Sequence, residues 1–287
     1  MSFKNNIKLP SGAPVPQIGL GTWLSKPKEV ENAVEIAVRN GYRHLDLAYI
    51  YGNQDEVGAA LKKVIPSVLW NNAHRPELSL AQIGTNYLDL YLIHWPIAFR
   101  PGSEVFPTDA NGKVDIDREL PKTGKVRAVG VSNFTVEQIK ALTAATGVKP
   151  ACNQVEAHPY LPQDELLAYA KQEGILVTAY SPLGNNMVGK PRLTDHATVK
   201  QIAEKTGADV AQVLIAWAAQ KGFSVIPKSV QEGRIKSNFQ QITLSSEDFD
   251  AISAIGRGNH TRFNIPAPTT RSGQLTSSMS PRRLKSP

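Results

Sequence analysis

Short, almost continuously apolar runs alternate along this chain with stretches in which apolar positions return every three or four residues. The runs IGLGTW, RHLDLA, YLDLYLIHW, VRAVGVS, ACNQVEA, ILVTAYS and FSVIPKS read as strands. KEVENAVEIAVRN, VEQIKALTAAT, QDELLAYAKQEG and ADVAQVLIAWAAQ read as helices. Strands separated by helices pair in parallel through right-handed crossovers, and they are apolar throughout when helices cover both faces. The number of units predicts an α/β fold, a (β/α)8 TIM barrel rather than an open sheet. One stretch breaks the pattern. From Ile65 to Glu77, IPSVLWNNAHRPE leads from a helical period straight into a loop, where a third strand should separate the two.

The 287 residues, 41% hydrophobic, suffice for a large core, and a barrel of this length is one domain. The net charge is +7, but Arg271, Arg282, Arg283 and Lys285 all lie between Ala267 and Pro287, where there is no acidic residue. Without that stretch about +3 remains, and no basic patch with interleaved aromatics points to nucleic acid. A single domain is therefore expected over residues 1–265, with residues 266–287, PAPTTRSGQLTSSMSPRRLKSP, as a disordered tail. MSFKNNIKLP lacks the apolar core of a signal peptide, and no run reaches the length of a membrane span. One cysteine, Cys152, excludes an internal disulfide and fits a reducing, cytoplasmic setting as a buried structural thiol. No His or Cys spacing suggests a metal site. A monomer without nucleic-acid or membrane partners is expected.

An open dinucleotide-binding sheet would show GxGxxG after its first strand. GLGTWL at Gly19 lacks the third glycine, and no helix follows at once. In a barrel, functional groups gather at the C-terminal ends of the strands. Those ends give Asp46 with Tyr51, His94 with Trp95, Ser132 with Asn133, then Gln154, Tyr180, and Lys228 with Ser229. Such a polar, partly aromatic rim can hold a flat heteroaromatic ring and phosphates, although any one of these residues alone reads as a solvated loop position.

Taken together, GLGTW, GYRHLDLAYIYGNQDEVG, LWNNAHRPE, YLDLYLIHWP, GKVRAVGVSNF, CNQVEAHPY, AYSPLG and VIPKSVQEGRIKSNF resemble the aldo-keto reductase family. They run in the family's order from Lys8 to about Phe263. The resemblance implies a barrel that binds NADPH across its strand ends and reduces aldehydes and ketones, including sugar or glyceraldehyde-like carbonyls, to alcohols. It implies Tyr51 as proton donor, Asp46 in the group that tunes it, and His94 as a donor orienting the carbonyl. A phenol with its ordinary pKa of about 10 needs a neighbouring positive charge to act near neutrality. On the cofactor side, Ser132, Asn133 and Gln154 would hold the carboxamide and Tyr180 would stack on the nicotinamide. Ser181 and Leu183 would lie by the pyrophosphate. Lys228, Ser229 and Arg234 would clamp a 2′-phosphate, favouring NADP over NAD. Asn238 would meet the adenine, although the family often has an acidic residue where Ser237 stands. Thr22, Trp23, Asp46 and Val230 complete the cofactor set, and the substrate pocket would comprise Trp23, Tyr51, His94 and Trp95.

The resemblance also shows what is missing. The family's third strand ends in a Ser-Lys-Leu-Trp pattern whose lysine tunes the tyrosine; here the pattern reads Ser67-Val68-Leu69-Trp70. HRPELSLAQIG is short for a third helix with its lead-in, and DIDRELPKTGKV lacks most of a fourth. The third strand and the third and fourth helices are thus expected to be shortened. Uncovered edges on the neighbouring strands would follow, with Pro66 denying the ladder a donor. Counted along an extended strand, Lys62 lies too far from Tyr51 to replace the lysine, and Lys63 faces the other side. Three readings stay open: a reductase impaired by loss of the lysine, a catalytically inactive NADPH-binding module, and a truncated splice or gene-model product.

Overall fold

The computed structural model describes residues 5–64, 69–72, 76–96, 125–184, 189, 191–258 and 260–264. Pro66, Val68, the segment expected to hold the shortened fourth helix, and the tail lie outside these residues. A hairpin of β1 (Asn6–Lys8) and β2 (Pro14–Pro16) precedes the main sheet. The sheet is parallel and follows chain order: β3 (Leu20–Gly21), β4 (His44–Asp46), β5 (Leu69–Asn72), β6 (Leu90–Ile93), β7 (Val129–Ser132), β8 (Cys152–Glu156), β9 (Leu176–Tyr180) and β10 (Ser224–Val225). Bridges Ile18–Val225 and Gly21–Lys228 join its two ends, with Gly19 N donating to Val225 O at 2.8 Å and Val225 N to Gln17 O at 2.7 Å. The sheet closes on itself, as the barrel reading requires.

The helices are α1 (Glu29–Arg39), α2 (Gln54–Val64), α3 (Pro76–Ile83), α4 (Val136–Thr146), α5 (Asp164–Glu173), α6 (Ala197–Thr206), α7 (Val210–Lys221), α8 (Glu232–Asn238) and α9 (Ser246–Ser253). Local chemistry sets their ends. Thr135 and Gln138 form a reciprocal capping box at the start of α4, and Gly147 takes the left-handed turn that ends it. The helices bury one large apolar cluster against the sheet, including Tyr42, Trp217 and Phe223. A smaller cluster joins Leu9 and Val15 of the hairpin to Leu90, Cys152 and Leu176, the first residues of β6, β8 and β9. The hairpin therefore plugs the N-terminal end of the barrel and leaves the C-terminal end as the open face. No helix of the described residues is long and apolar enough to cross a membrane.

The stretch that broke the sequence pattern does supply a strand, so the expectation of uncovered edges is corrected. His44, Leu45 and Asp46 pair with Leu69, Trp70 and Asn71, while Asn71 and Asn72 pair with Leu90 and Tyr91. An unpaired strand edge leaves backbone donors and acceptors without partners, and LWNN satisfies both sides of the gap. The third helix is short, as expected: α3 has eight residues and opens on a proline, which suits a first helical position. It packs on α2 at backbone distance. A Cβ at Gly58 would lie 2.5 Å from the Gln82 carbonyl and 2.6 Å from that of Ile83.

Candidate active site

Four strands deliver a polar residue toward the open face. Asp46 closes β4, Ser132 closes β7, Tyr180 closes β9, and Gln154 lies in β8. Asn133 follows β7 with φ 65° and Ser181 follows β9 with φ 48°. Asparagine adopts this left-handed conformation more readily than other residues because its side chain bonds locally. Here Asn133 Nδ2 donates to His94 O at 2.9 Å and to Ser132 Oγ at 3.1 Å, while its Oδ1 accepts from the Tyr180 hydroxyl at 2.8 Å. Its backbone N–H donates to Gln154 O at 2.8 Å.

The chain of bonds continues to Asp46. Ser132 Oγ donates to Gln154 O at 2.9 Å, and Gln154 Nε2 donates to Asp46 Oδ1 at 2.8 Å. Thr22 Oγ1 donates to Asp46 O at 2.8 Å, and Asn53 Nδ2 to Thr22 O at 3.1 Å. Thr22, Asp46, Ser132 and Gln154 are all buried. Tyr51 stands on a 3-10 turn, Tyr49–Tyr51, directly after β4, and its ring meets that of His94 edge to face at 6.0 Å. The His94 ring in turn lies parallel to Trp95 at 6.5 Å. The structure thus brings together Thr22, Asp46, Tyr51, His94, Trp95, Ser132, Asn133, Gln154 and Tyr180.

Burial pushes the Asp46 carboxyl up to about 7, against the smaller opposing effect of the Gln154 amide. Burial also raises the Tyr51 phenol well above its ordinary range, followed by the charges of Asp46 and Tyr180. Among the described residues, no ammonium or guanidinium pairs with Asp46 or bonds to Tyr51. Lys62 and Lys63 lie in the last turn of α2, not on a strand, which corrects the extended-chain geometry used to place them. Lys63 Nζ turns to α1, 2.7 Å from Glu31 and 3.7 Å from Glu35. The Lys62 side chain lies beside Gly84 at the end of α3.

The other predicted residues lie outside this network. Lys228 is exposed, and its Nζ donates to Leu24 O at 3.3 Å. Ser229 is buried and its Oγ accepts from Gln231 N at 3.2 Å. Arg234 is exposed on α8, and Asn238, at the end of the same helix, is buried with its Oδ1 lacking a partner. Leu183 and Val230 pack half-buried against the main core, and Trp23 is half-buried after β3. Ser181 Oγ accepts from Asn264 Nδ2 at 3.1 Å. Sequence reasoning missed Asn53, Glu156, His158, Phe263 and Asn264. A signal for one was present: Glu156 is the one charged residue in the strand run Cys152–Glu156, where a buried carboxylate requires dedicated partners.

A sequence model of the Aldo/keto reductase family matches residues 17–257. The chain belongs to the aldo/keto reductase family. This aldo/keto reductase is similar to the D/L-glyceraldehyde reductase of Hypocrea jecorina, 45% identical over 305 aligned positions that cover 93% of this chain and 92% of that protein. It is also similar to glycerol 2-dehydrogenase (NADP(+)) of Saccharomyces cerevisiae, 42% identical over 285 positions, covering 88% of this chain and 90% of the relative. Among solved structures, the aldo/keto reductase from Brucella melitensis matches with a TM-score of 0.76 and 35% identity, covering 88% of this chain and 98% of that one. The first alignment is longer than the whole 287-residue chain, so it contains positions for which this aldo/keto reductase has no residue. That agrees with the internal gaps read from the motifs.

Proposed function

We propose that this aldo/keto reductase reduces aldehydes and ketones of the glyceraldehyde or small-sugar class to alcohols with NADPH, at a rate held down because no cation among the described residues stands beside Tyr51. The observation that carries the reading is the continuous set of bonds from Tyr180 through Asn133, Ser132 and Gln154 to Asp46, with Tyr51 and His94 beside it. The relatives named for D/L-glyceraldehyde and for glycerol with NADP(+) support the substrate class and the cofactor.

The residues present fit NADPH. The buried, unpartnered Asn238 Oδ1 can accept from an amino group such as that of adenine. Lys228 and Arg234 are exposed cations, and Lys228 adjoins Ser229 in the chain, residue types suited to a phosphate. The bound nicotinamide would supply the hydride. Ser132, Asn133 and Gln154 would bind its carboxamide by exchanging partners, since these groups now satisfy one another and Asp46. Tyr51 would give its proton to the carbonyl oxygen, His94 would orient that oxygen, and Trp23 and Trp95 would wall the pocket. With its pKa raised and no positive charge nearby among the described residues, Tyr51 releases that proton poorly, and turnover should be lower by about 10²–10⁴. The proposed setting is the cytoplasm, since the single cysteine, Cys152, can form no internal disulfide and fits a reducing compartment.

A second reading, an NADPH-binding module without activity, is favoured by the same missing cation. Quenching of NADPH fluorescence, run alongside glyceraldehyde-dependent NADPH oxidation, separates the two. Binding with slow turnover is the result expected. Binding without turnover selects the inactive module, turnover at the relatives' rates removes the impairment, and absence of binding refutes both.

A further inference from the structure

We propose that Glu156 is a positioning residue for the turn Ser181–Gly184, acting through the segment Thr261–Asn264. The proposal rests on the reading above, in which Ser181 and Leu183 meet the cofactor's pyrophosphate. Glu156 is the last residue of β8, and neither it nor His158 is accessible to solvent. A carboxylate in such a place must have its lone pairs satisfied. Oε1 accepts from Phe263 N at 2.7 Å and His158 Nε2 at 2.9 Å, and Oε2 accepts from Asn264 N at 2.9 Å. Burial alone would raise this carboxyl, but the His158 bond and the two backbone donors outweigh it and hold Glu156 below its ordinary range. It therefore stays ionised, and its bonds are charge-assisted.

Two consecutive backbone N–H groups on one carboxylate fix the segment's position. Thr261 N adds a bond to Tyr160 O at 2.9 Å, and the Phe263 ring packs on His158 at 5.0 Å. The segment then grips the turn after β9 twice. Asn264 Nδ2 donates to Ser181 Oγ at 3.1 Å, and the Phe263 ring covers Gly184 so closely that a Cβ there would lie 2.9 Å from Phe263 Cε2. The turn needs such support because Ser181, which is not glycine, holds φ 48°, a left-handed conformation strained for a residue with a Cβ. A turn already held in its binding conformation loses less entropy when a ligand is bound.

Two variants test this. Glu156→Gln keeps the shape but sets an amide N–H against one of the backbone donors, and Asn264→Ala removes the side chain that donates to Ser181 Oγ while leaving the Asn264 backbone N–H on Glu156. In both, the Leu183 and Gly184 amides of the unliganded protein should exchange hydrogen faster. Asn264→Ala should raise the NADPH dissociation constant about 3- to 10-fold and Glu156→Gln by more. The turnover number at saturating NADPH should stay within about twofold, because a lost positioning contact appears in cofactor KM rather than kcat. If Glu156→Gln does not fold, Asn264→Ala decides. Unchanged exchange at Leu183 and Gly184, or unchanged NADPH affinity beside a wild-type protein that binds it, overturns the proposal. A wild type that fails to bind NADPH removes the functional reading, and with it the cofactor half of this inference, while exchange still reports whether the segment holds the turn.

Discussion

Gln154 on β8 and Asp46 on β4 stand four strands apart in the barrel, and the Gln154 amide donates to the Asp46 carboxylate at 2.8 Å across its mouth. An amide supplies a dipole but no charge, so among the described residues no cation compensates ionised Asp46. Burial accordingly pushes its carboxyl up to about 7.

The first prediction concerns stability. Asp46 holds its proton to higher pH folded than unfolded. Below about pH 4 it is protonated in both states and contributes nothing. As pH rises toward 7 the unfolded chain ionises first, so stability falls; above 7 the full loss remains, at most about 4 kcal/mol. Asp46→Asn should therefore match the wild type near pH 4 and exceed it by about 2–4 kcal/mol at pH 8. Urea midpoints at the two pH values measure this, and a difference independent of pH would contradict it.

The second prediction concerns Tyr51. Burial first, then the charges of Asp46 and Tyr180, keep the phenol protonated beyond its ordinary range. Carbonyl reduction should show no decline from phenol ionisation between about pH 6 and 10, whereas alcohol oxidation, which needs the phenolate as base, should climb through that range. Asp46→Asn should move the oxidation limb to lower pH. Tyr51→Phe should remove residual reduction by at least about 10²-fold. A Tyr51→Phe variant as active as the wild type would assign the proton to another group.

Most of the barrel was legible because its strands are apolar runs bounded by helical periods; α1, α4, α5 and α7 appear where those periods lie. Two elements were hidden for physical reasons. β5 is only Leu69–Asn72, and its second half is two asparagines, so backbone pairing with both neighbours makes it a strand where side-chain periodicity does not. The hairpin β1–β2 is three residues a side and carries prolines at both ends of β2. In the site, strand-end position marked Asp46, Gln154 and Tyr180. The clamp of Glu156 on Phe263 N and Asn264 N was not visible, because its donors are backbone groups 107 and 108 residues away.

The third prediction addresses cofactor choice. Lys228 lies exposed after β10, and its one bond among the described residues is a long one to Leu24 O, leaving donor capacity for a phosphate. Lys228→Met should weaken NADPH binding about 10- to 100-fold, the range for hydrogen bonds to charged groups, and change NADH binding little. Fluorescence titration with both cofactors checks it. Equal losses for the two would mean that Lys228 does not read the 2′-phosphate.

The last prediction asks where a restoring lysine belongs. By motif it belongs at Val68, which lies outside the described residues. By register it belongs at position 71, because Asn71 is the residue of β5 paired with Asp46, and adjacent strands run about 4.8 Å apart. A cation there would compensate Asp46 and draw the Tyr51 phenol down toward neutrality. Asn71→Lys should therefore raise kcat/KM for glyceraldehyde at neutral pH at least about tenfold and shift the oxidation limb to lower pH, with Val68→Lys doing less. Rescue by Val68→Lys alone would mean that β5 follows the family's register in solution, three residues away from the pairing observed. Failure of both lysines, in proteins that still bind NADPH, would show that the impairment lies elsewhere than in the charge beside Tyr51.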